Sequence, residues 1–386
     1  MKQVKLGEWP AMTWGDALAA WGEQRATKAA GADPGAAKRA DRAKVAEAAQ
    51  AAKRAREAEA FTVRKLCDSY LVSLKLSRKA KGRTEVGRLF DTMLAPIAEL
   101  APAAVTRSVA FDLIMAYSAT PVVAKALRAE LGGAWDHGYD SGRLSDDVPN
   151  WWRQILRGKL RTKGRLVAGE VVNQKRVLDE KEIGALINWL PNYPRNTQDA
   201  LVLYLWTMCR GAEIVSMHAD EIRQEGAVLW WQLPKAKTKN ANVAVATDLR
   251  VPLVGRAKDV VKRRLAASPG GYLFANGRKG TRLPHIDQRA VGVAVWYQMP
   301  YSQTRPEAPR ARCPITLWAP HDLRRSSRTL VASMGCQNDV GEALLGHVQP
   351  GIVGVYNLYS YDAERLAWLE KLSDKLEALA AAAVTV

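Results

Sequence analysis

A chain of 386 residues, 48% of them hydrophobic, has room for two or three domains that each bury a core. Lys and Arg outnumber Asp and Glu by 57 to 39, a formal net charge of +18 that favours a polyanionic partner, although ribosomal, membrane-surface and merely basic proteins share such an excess. Cys67, Cys209, Cys313 and Cys336 form no Cys-x-x-Cys pair, so zinc or redox chemistry is not indicated and reduced thiols in a cytoplasmic protein are expected; neither a signal core nor a bilayer-length apolar run is present.

Residues 1–60 are the least foldable stretch. A short amphipathic helix is expected after Pro10, and GADPG at 31–35 reads as a turn. From Ala36 to Ala60 the sequence is alanine mixed with charges, with Val45 as its one larger apolar residue, a composition that makes a good helix and a poor core. Residues 61–152 read as an independent helical domain: Phe61, Leu66, Tyr70, Leu71 and Leu74 form one stripe, and further helices fit 84–100, 106–117 and 121–139, the last opened by Pro121. From Arg153 to Arg176 there are eight basic residues and one acidic residue, Glu170. This basic linker is either simply solvated or crosses a DNA backbone, with Arg157, Lys159, Arg161 and Lys163 as the candidate phosphate contacts.

A second domain is expected over 177–375, followed by a tail at 376–386. LDEKEIGALINWL reads as a helix with acidic residues in its first turn, and LVLYLWTM at 201–208 is too apolar all round for a surface helix. That buried helix leads into Arg210, which needs a partner or an anionic ligand; Glu213 can be the first and a phosphate the second. Strands are expected at 227–233, 242–246 and 249–253, with Lys237 and Lys239 between the first two. Trp230 and Trp231 must then face opposite sides, so at least one packs into the core. A modest helix fits 285–298.

Next comes the stretch from His321 to Tyr356. His321 and Arg324 are three apart in a helix opening at Pro320, so both leave the same face. A second apolar run, Ala343-Leu344-Leu345, stops at Gly346, which suits the left-handed position after a helix, and presents His347; Tyr356 lies nine residues on. A phosphodiester is a natural target for such a set, because an arginine can fork two oxygens, imidazoles can hydrogen-bond or move protons, and a phenol can attack. After it, Leu366, Leu369, Leu372, Leu376 and Leu379 make a helical stripe, expected to pack on its own domain.

HDLRR, then ALLGH, then a tyrosine nine residues past that histidine, with CRGAE at 209–213 upstream, resembles the signature of the tyrosine recombinases, the phage integrase family. The resemblance implies a mainly α chain with a small β-sheet, in which a helical core-binding domain precedes a mixed α/β catalytic domain. LGEWPAMTW followed by GADPG is similar to the end of the arm-binding domain of island and satellite-phage integrases, here a remnant without its small β-sheet. The resemblance assigns phosphate binding to Arg210 and Arg324, with Glu213 in support. To His321 and His347 it gives proton transfer or phosphate hydrogen bonding. Lys239, rather than the other candidate Lys237, protonates the leaving 5′-oxygen, Lys237 is a DNA-binding residue, and Tyr356 is the nucleophile. No metal or other cofactor is implied. The implied partners are double-stranded DNA attachment sites, further copies in a homotetramer on paired sites, and an excision factor or DNA-bending protein. Alternatives are a type IB topoisomerase, which reseals the same strand, and a non-catalytic DNA-binding protein; a metal-dependent nuclease would need a carboxylate cluster that the sequence does not display.

Overall fold

The computed structural model of the chain describes residues 5–31, 39–50, 61–161, 164–167, 170–172, 176–277, 283–348, 356 and 359–384. Its contacts divide the chain into two units, residues 1–162 and 163–386.

In the first unit, helix α1 (Trp14–Ala29) starts at Thr13, whose hydroxyl accepts from the Asp16 amide at 3.2 Å. None of its residues is buried, and residues 39–50 form a second exposed helical stretch. Helices α2 (Val63–Ser73), α3 (Ala80–Met93), α4 (Arg107–Met115) and α5 (Pro121–Asp140) then enclose a core. Leu66, Phe90, Ile114, Leu127 and Trp135 are all but sealed from solvent there. That core continues past the change in composition. Trp152 meets Trp135 edge to face at 5.5 Å, Ile155 is buried beside it, and Arg128 Nη1 donates to the Ile155 carbonyl at 2.7 Å. Arg157, Lys159 and Arg161 thus stand exposed on a segment anchored to the helical unit, while Lys163 lies outside the described residues. Arg157 and Arg161 spend Nε–H on the carbonyls of Arg153 and Gly158, at 2.6 and 3.0 Å.

In the second unit, a short antiparallel pair, β1 (Arg165–Val167) and β2 (Glu170–Val172), precedes α6 (Glu180–Trp189). Asp179 caps α6 by accepting from the Glu182 amide at 2.8 Å while Glu182 answers to the Asp179 amide. Helix α7 (Arg195–Thr207) is buried on all sides from Asp199 onward, as its continuous apolar run predicts. A five-residue helix, α8 (Gly211–Val215), follows it, and then a three-stranded antiparallel sheet, β3 (Ile222–Glu225), β4 (Val228–Leu233) and β5 (Leu249–Leu253), in that order. Trp231 pairs with Val251 and points into the core; Trp230 is buried on the other face, beneath the guanidinium of Arg250 at 4.6 Å.

The expected strand at 242–246 does not form. Those residues lie in the turn-rich connection 234–248, with Val243 and Val245 partly exposed, because β4 takes its ladder bonds from β3 on one side and β5 on the other. β3 was not anticipated: Arg223, Gln224 and Glu225 are exposed and give it no apolar signal.

Helices α9 (Gly255–Ala267), α10 (Gln288–Tyr297), α11 (Pro320–Ser333), α12 (Asn338–Leu344) and α13 (Asp362–Ala382) complete the unit. Leu369, Leu372 and Leu376 of α13 are buried in its own unit, against α6. Asn188 donates to the Ala380 carbonyl at 2.8 Å, so the stretch after 375 continues a packed helix. Among the described residues no helix is long and apolar enough to cross a membrane.

Candidate active site

The site is assembled at the end of α7. Met208 takes a left-handed conformation, φ 54°, that costs a non-glycine residue roughly 1–2 kcal/mol, and the turn delivers its carbonyl to the guanidinium of Arg324. Two residues on, Arg210 caps α8. Its amide donates to Glu213 Oε2 at 2.8 Å and its Nη1 to Oε1 at 2.9 Å, so the buried Glu213 carboxylate holds both the backbone and the side chain. Gly211 is required next to it, since a Cβ there would lie 1.6 Å from Tyr204 Oη.

Arg324, on the inner face of α11, is only 4% exposed. Nη1 donates to Met208 O, Nη2 to Leu345 O at 2.8 Å, and Nη2 also meets His347 Nε2 at 3.3 Å. No ion pair to it exists among the described residues, and its Nε–H and one Nη1 hydrogen stay uncommitted there. Burial, and after it the charge of Arg210, lowers its pKa to about 10, so it remains a cation at neutral pH. A buried guanidinium held by carbonyl oxygens beside a second arginine is a site prepared for an anion.

His321 opens α11 at its exposed side. Partial burial, then the charges of Arg325, Arg324 and Arg210, hold its pKa below the ordinary histidine value, which keeps the imidazole neutral near pH 7. α11 is fixed behind these groups by Ser326 Oγ, which accepts from the Leu178 amide at 2.8 Å, and by Ser327 Oγ, which donates to Leu205 O at 2.9 Å.

His347 stands just past Gly346, whose φ of +60° is the left-handed stop expected from sequence. Its Nδ1 lies 2.6 Å from Glu342 Oε2. Burial alone would raise the Glu342 carboxyl, but the hydrogen bond and charge of His347, together with Arg328, outweigh it and leave the group below its usual value. An ionised Glu342 accepts the Nδ1 proton, which leaves the Nε2 lone pair facing Arg324 Nη2. A cavity of about 580 Å³ opens beside His347, walled by Thr238, Asn240, Tyr359 and Tyr361 among others.

The two lysines on the β4–β5 connection differ. Lys239 is exposed and makes no side-chain hydrogen bond or ion pair among the described residues. Lys237 donates at 2.8 Å to the carbonyl of Ser216, the residue that ends the helix Arg210 caps, and pairs with Glu221 Oε1 in the turn Ala219–Glu221 beyond it.

Tyr356 is 83% exposed, and residues 349–355, which join it to His347, lie outside the described residues. Tyr359 donates to both oxygens of Glu364 at 3.2 Å, and that carboxylate raises its pKa. Thus Arg210, Glu213, His321, Arg324 and His347 share one electrostatic neighbourhood, whereas Tyr356 makes no hydrogen bond within it among the described residues. Sequence reasoning missed Glu342 and Glu221. The first sits five residues before His347, outside the i+3 and i+4 spacing that marks a helix pair; the second is hidden in an acidic turn.

No family model matches the chain, and no curated protein matches it in sequence. Solved structures do. A lambda integrase dimer bound to a COC′ core site is similar at 15% identity, over 75% of this chain and 96% of that one, with a TM-score of 0.53. The Tn1549 transposon integrase in complex with transposon right end DNA is similar at 15% identity, over 80% and 99%, with a TM-score of 0.51. A lambda integrase tetramer bound to a Holliday junction is similar at 15% identity, over 78% of each chain, with a TM-score of 0.52. The fold, mainly helical with a small antiparallel sheet, is the one that the tyrosine-recombinase resemblance implied.

Proposed function

We propose that this protein is a tyrosine recombinase that cuts and rejoins double-stranded DNA through a 3′-phosphotyrosyl intermediate, and that it integrates or excises a prophage or genomic island. The observation that carries the reading is Arg324, a buried cation with Arg210 beside it and two donors uncommitted among the described residues. In the reaction, Tyr356 Oη forms a bond to phosphorus as the P–O5′ bond breaks. The phenol, with a pKa of about 10 in water, passes its proton to the neutral His321 or to solvent. Arg210 and Arg324 hold the non-bridging oxygens, and His347, with Glu342 behind its Nδ1, donates to the phosphate from Nε2 when that nitrogen carries a proton. The free 5′-hydroxyl of a second duplex reverses the step, so bond energy is kept in the covalent link and no ATP is consumed. The DNA-bound neighbours, one of them a tetramer on a Holliday junction, support duplex attachment sites and a homotetramer as partners. An excision factor or DNA-bending protein, and a cytoplasmic location, belong to the same reading. Exchange between two differently labelled duplexes tests it: exchanged product supports a recombinase, and resealing of the same strand alone would make it a topoisomerase.

Two lysines compete for protonating the 5′-oxygen. The resemblance favours Lys239; fixed placement beside the Arg210 helix favours Lys237, since proton transfer depends on a positioned donor. A 5′-bridging phosphorothiolate substrate decides, because its sulfur leaves without a proton. Alanine at the acid should slow normal cleavage by about 10²–10⁴ and be rescued by the thiolate. Rescue of neither variant removes the connection from the chemistry.

Neutralising Arg157, Lys159, Arg161 and Lys163 together should weaken binding to specific and random duplexes alike, and flatten the log-affinity against log-salt slope by about 0.9 for each phosphate that is no longer neutralised. An unchanged slope returns the segment to a solvated surface.

A further inference from the structure

The ammonium of Lys237 sits in a built socket. Glu221, only 7% exposed, accepts Trp231 Nε1–H at 2.9 Å and the His218 amide at 3.3 Å on Oε2, and keeps Oε1 for Lys237. Ser216 O is the second acceptor. An aromatic ring lies alongside, with Lys237 Nζ 5.4 Å from the centroid of Tyr272, and the two hydrogen bonds leave one of the three ammonium hydrogens for a further acceptor. That ring is itself wedged, 4.9 Å from His218 at nearly a right angle and 5.2 Å from His285, and the backbone pairs His218 with Tyr272. A carboxylate tied to β4 and to the turn after α8 therefore fixes a lysine carried by the β4–β5 connection. A surface ion pair would need neither the burial nor the aromatic wall.

We infer that Glu221 and Tyr272 are positioning residues for Lys237, holding its ammonium in place beside the end of the Arg210 helix so that it can donate to the departing 5′-oxygen. In that step the P–O5′ bond breaks, the Nζ proton moves to O5′, and the resulting neutral amine regains its proton from solvent. The inference rests on the reading of Lys237 as general acid and adds the residues through which that role depends on the fold.

Single-turnover cleavage of a nicked duplex by the full-length protein tests it, with a normal and a 5′-bridging phosphorothiolate phosphodiester. Glu221→Gln and Tyr272→Leu should each slow the normal substrate at least tenfold and cleave the phosphorothiolate at the wild-type rate, whereas Tyr272→Phe, which keeps the ring, should match wild type on both. A structural role alone would slow both substrates together, and that outcome overturns the inference, as does wild-type cleavage by both Glu221→Gln and Tyr272→Leu. If Glu221→Gln fails to fold, the Tyr272 pair decides alone. Lys237→Ala separates the two levels: rescue of Lys237→Ala with no effect at Glu221 and Tyr272 retains the acid and discards the socket, while failure to rescue Lys237→Ala discards both.

Discussion

Tyr356→Phe should bind duplex DNA as the wild-type protein does and form no covalent complex with it. Only a hydroxyl is lost, from a side chain that is 83% exposed, so neither folding nor the DNA-binding surface has reason to change. The neighbouring phenols should not substitute, because Tyr359 is committed to Glu364 and Tyr361 packs against the Tyr359 ring at 4.8 Å. Trapping on a suicide substrate, read by denaturing electrophoresis, checks this. An adduct with Tyr356→Phe that disappears in Tyr359→Phe or Tyr361→Phe would move the nucleophile.

Arg324→Met should be the second severe variant, with the rate of covalent complex formation down by about 10²–10³, the usual cost of deleting one donor to a developing oxyanion. The stability effect should be smaller. Methionine fills the cavity and the desolvation cost of a buried cation disappears, which offsets the loss of the bonds to Met208 O, Leu345 O and His347 Nε2, about 1–3 kcal/mol for each buried acceptor left unpaired. Arg324→Lys keeps the charge but lacks the fork that spans Met208 O, Leu345 O and His347, so it should recover little of the rate. Comparable losses in unfolding free energy and in cleavage would mean that Arg324 is a structural residue.

The site was legible in sequence where local rules govern it. Pro320 marked the start of the helix that carries His321 and Arg324, although His321 stands exposed and Arg324 buried on it, and Gly346 marked the turn that presents His347. The all-round apolar character of α7 announced a buried helix ending at Arg210. What remained hidden was long-range. Nothing near Met208 announces that its carbonyl serves Arg324, 116 residues away, and Glu221 reads as one more surface acid until Trp231 and Lys237 close over it. The alternation at 242–246 misled because it describes a half-buried strand equally well as a loop that only partly shelters two valines. β3 was missed for the opposite reason, being an edge strand whose exposed residues carry no alternation.

The central claim is that the cationic cluster around Arg210 and Arg324 serves a tyrosine that becomes covalently joined to DNA. Its most direct test is to incubate the wild-type protein with a nicked suicide duplex in EDTA, digest the trapped complex and identify the modified peptide and the DNA end by mass spectrometry. The account predicts one adduct, a 3′-phosphate esterified to Tyr356 with the 5′-hydroxyl free, formed undiminished by the chelator. A 5′-linked adduct, attachment at any other residue, or cleavage that requires a divalent cation would contradict it.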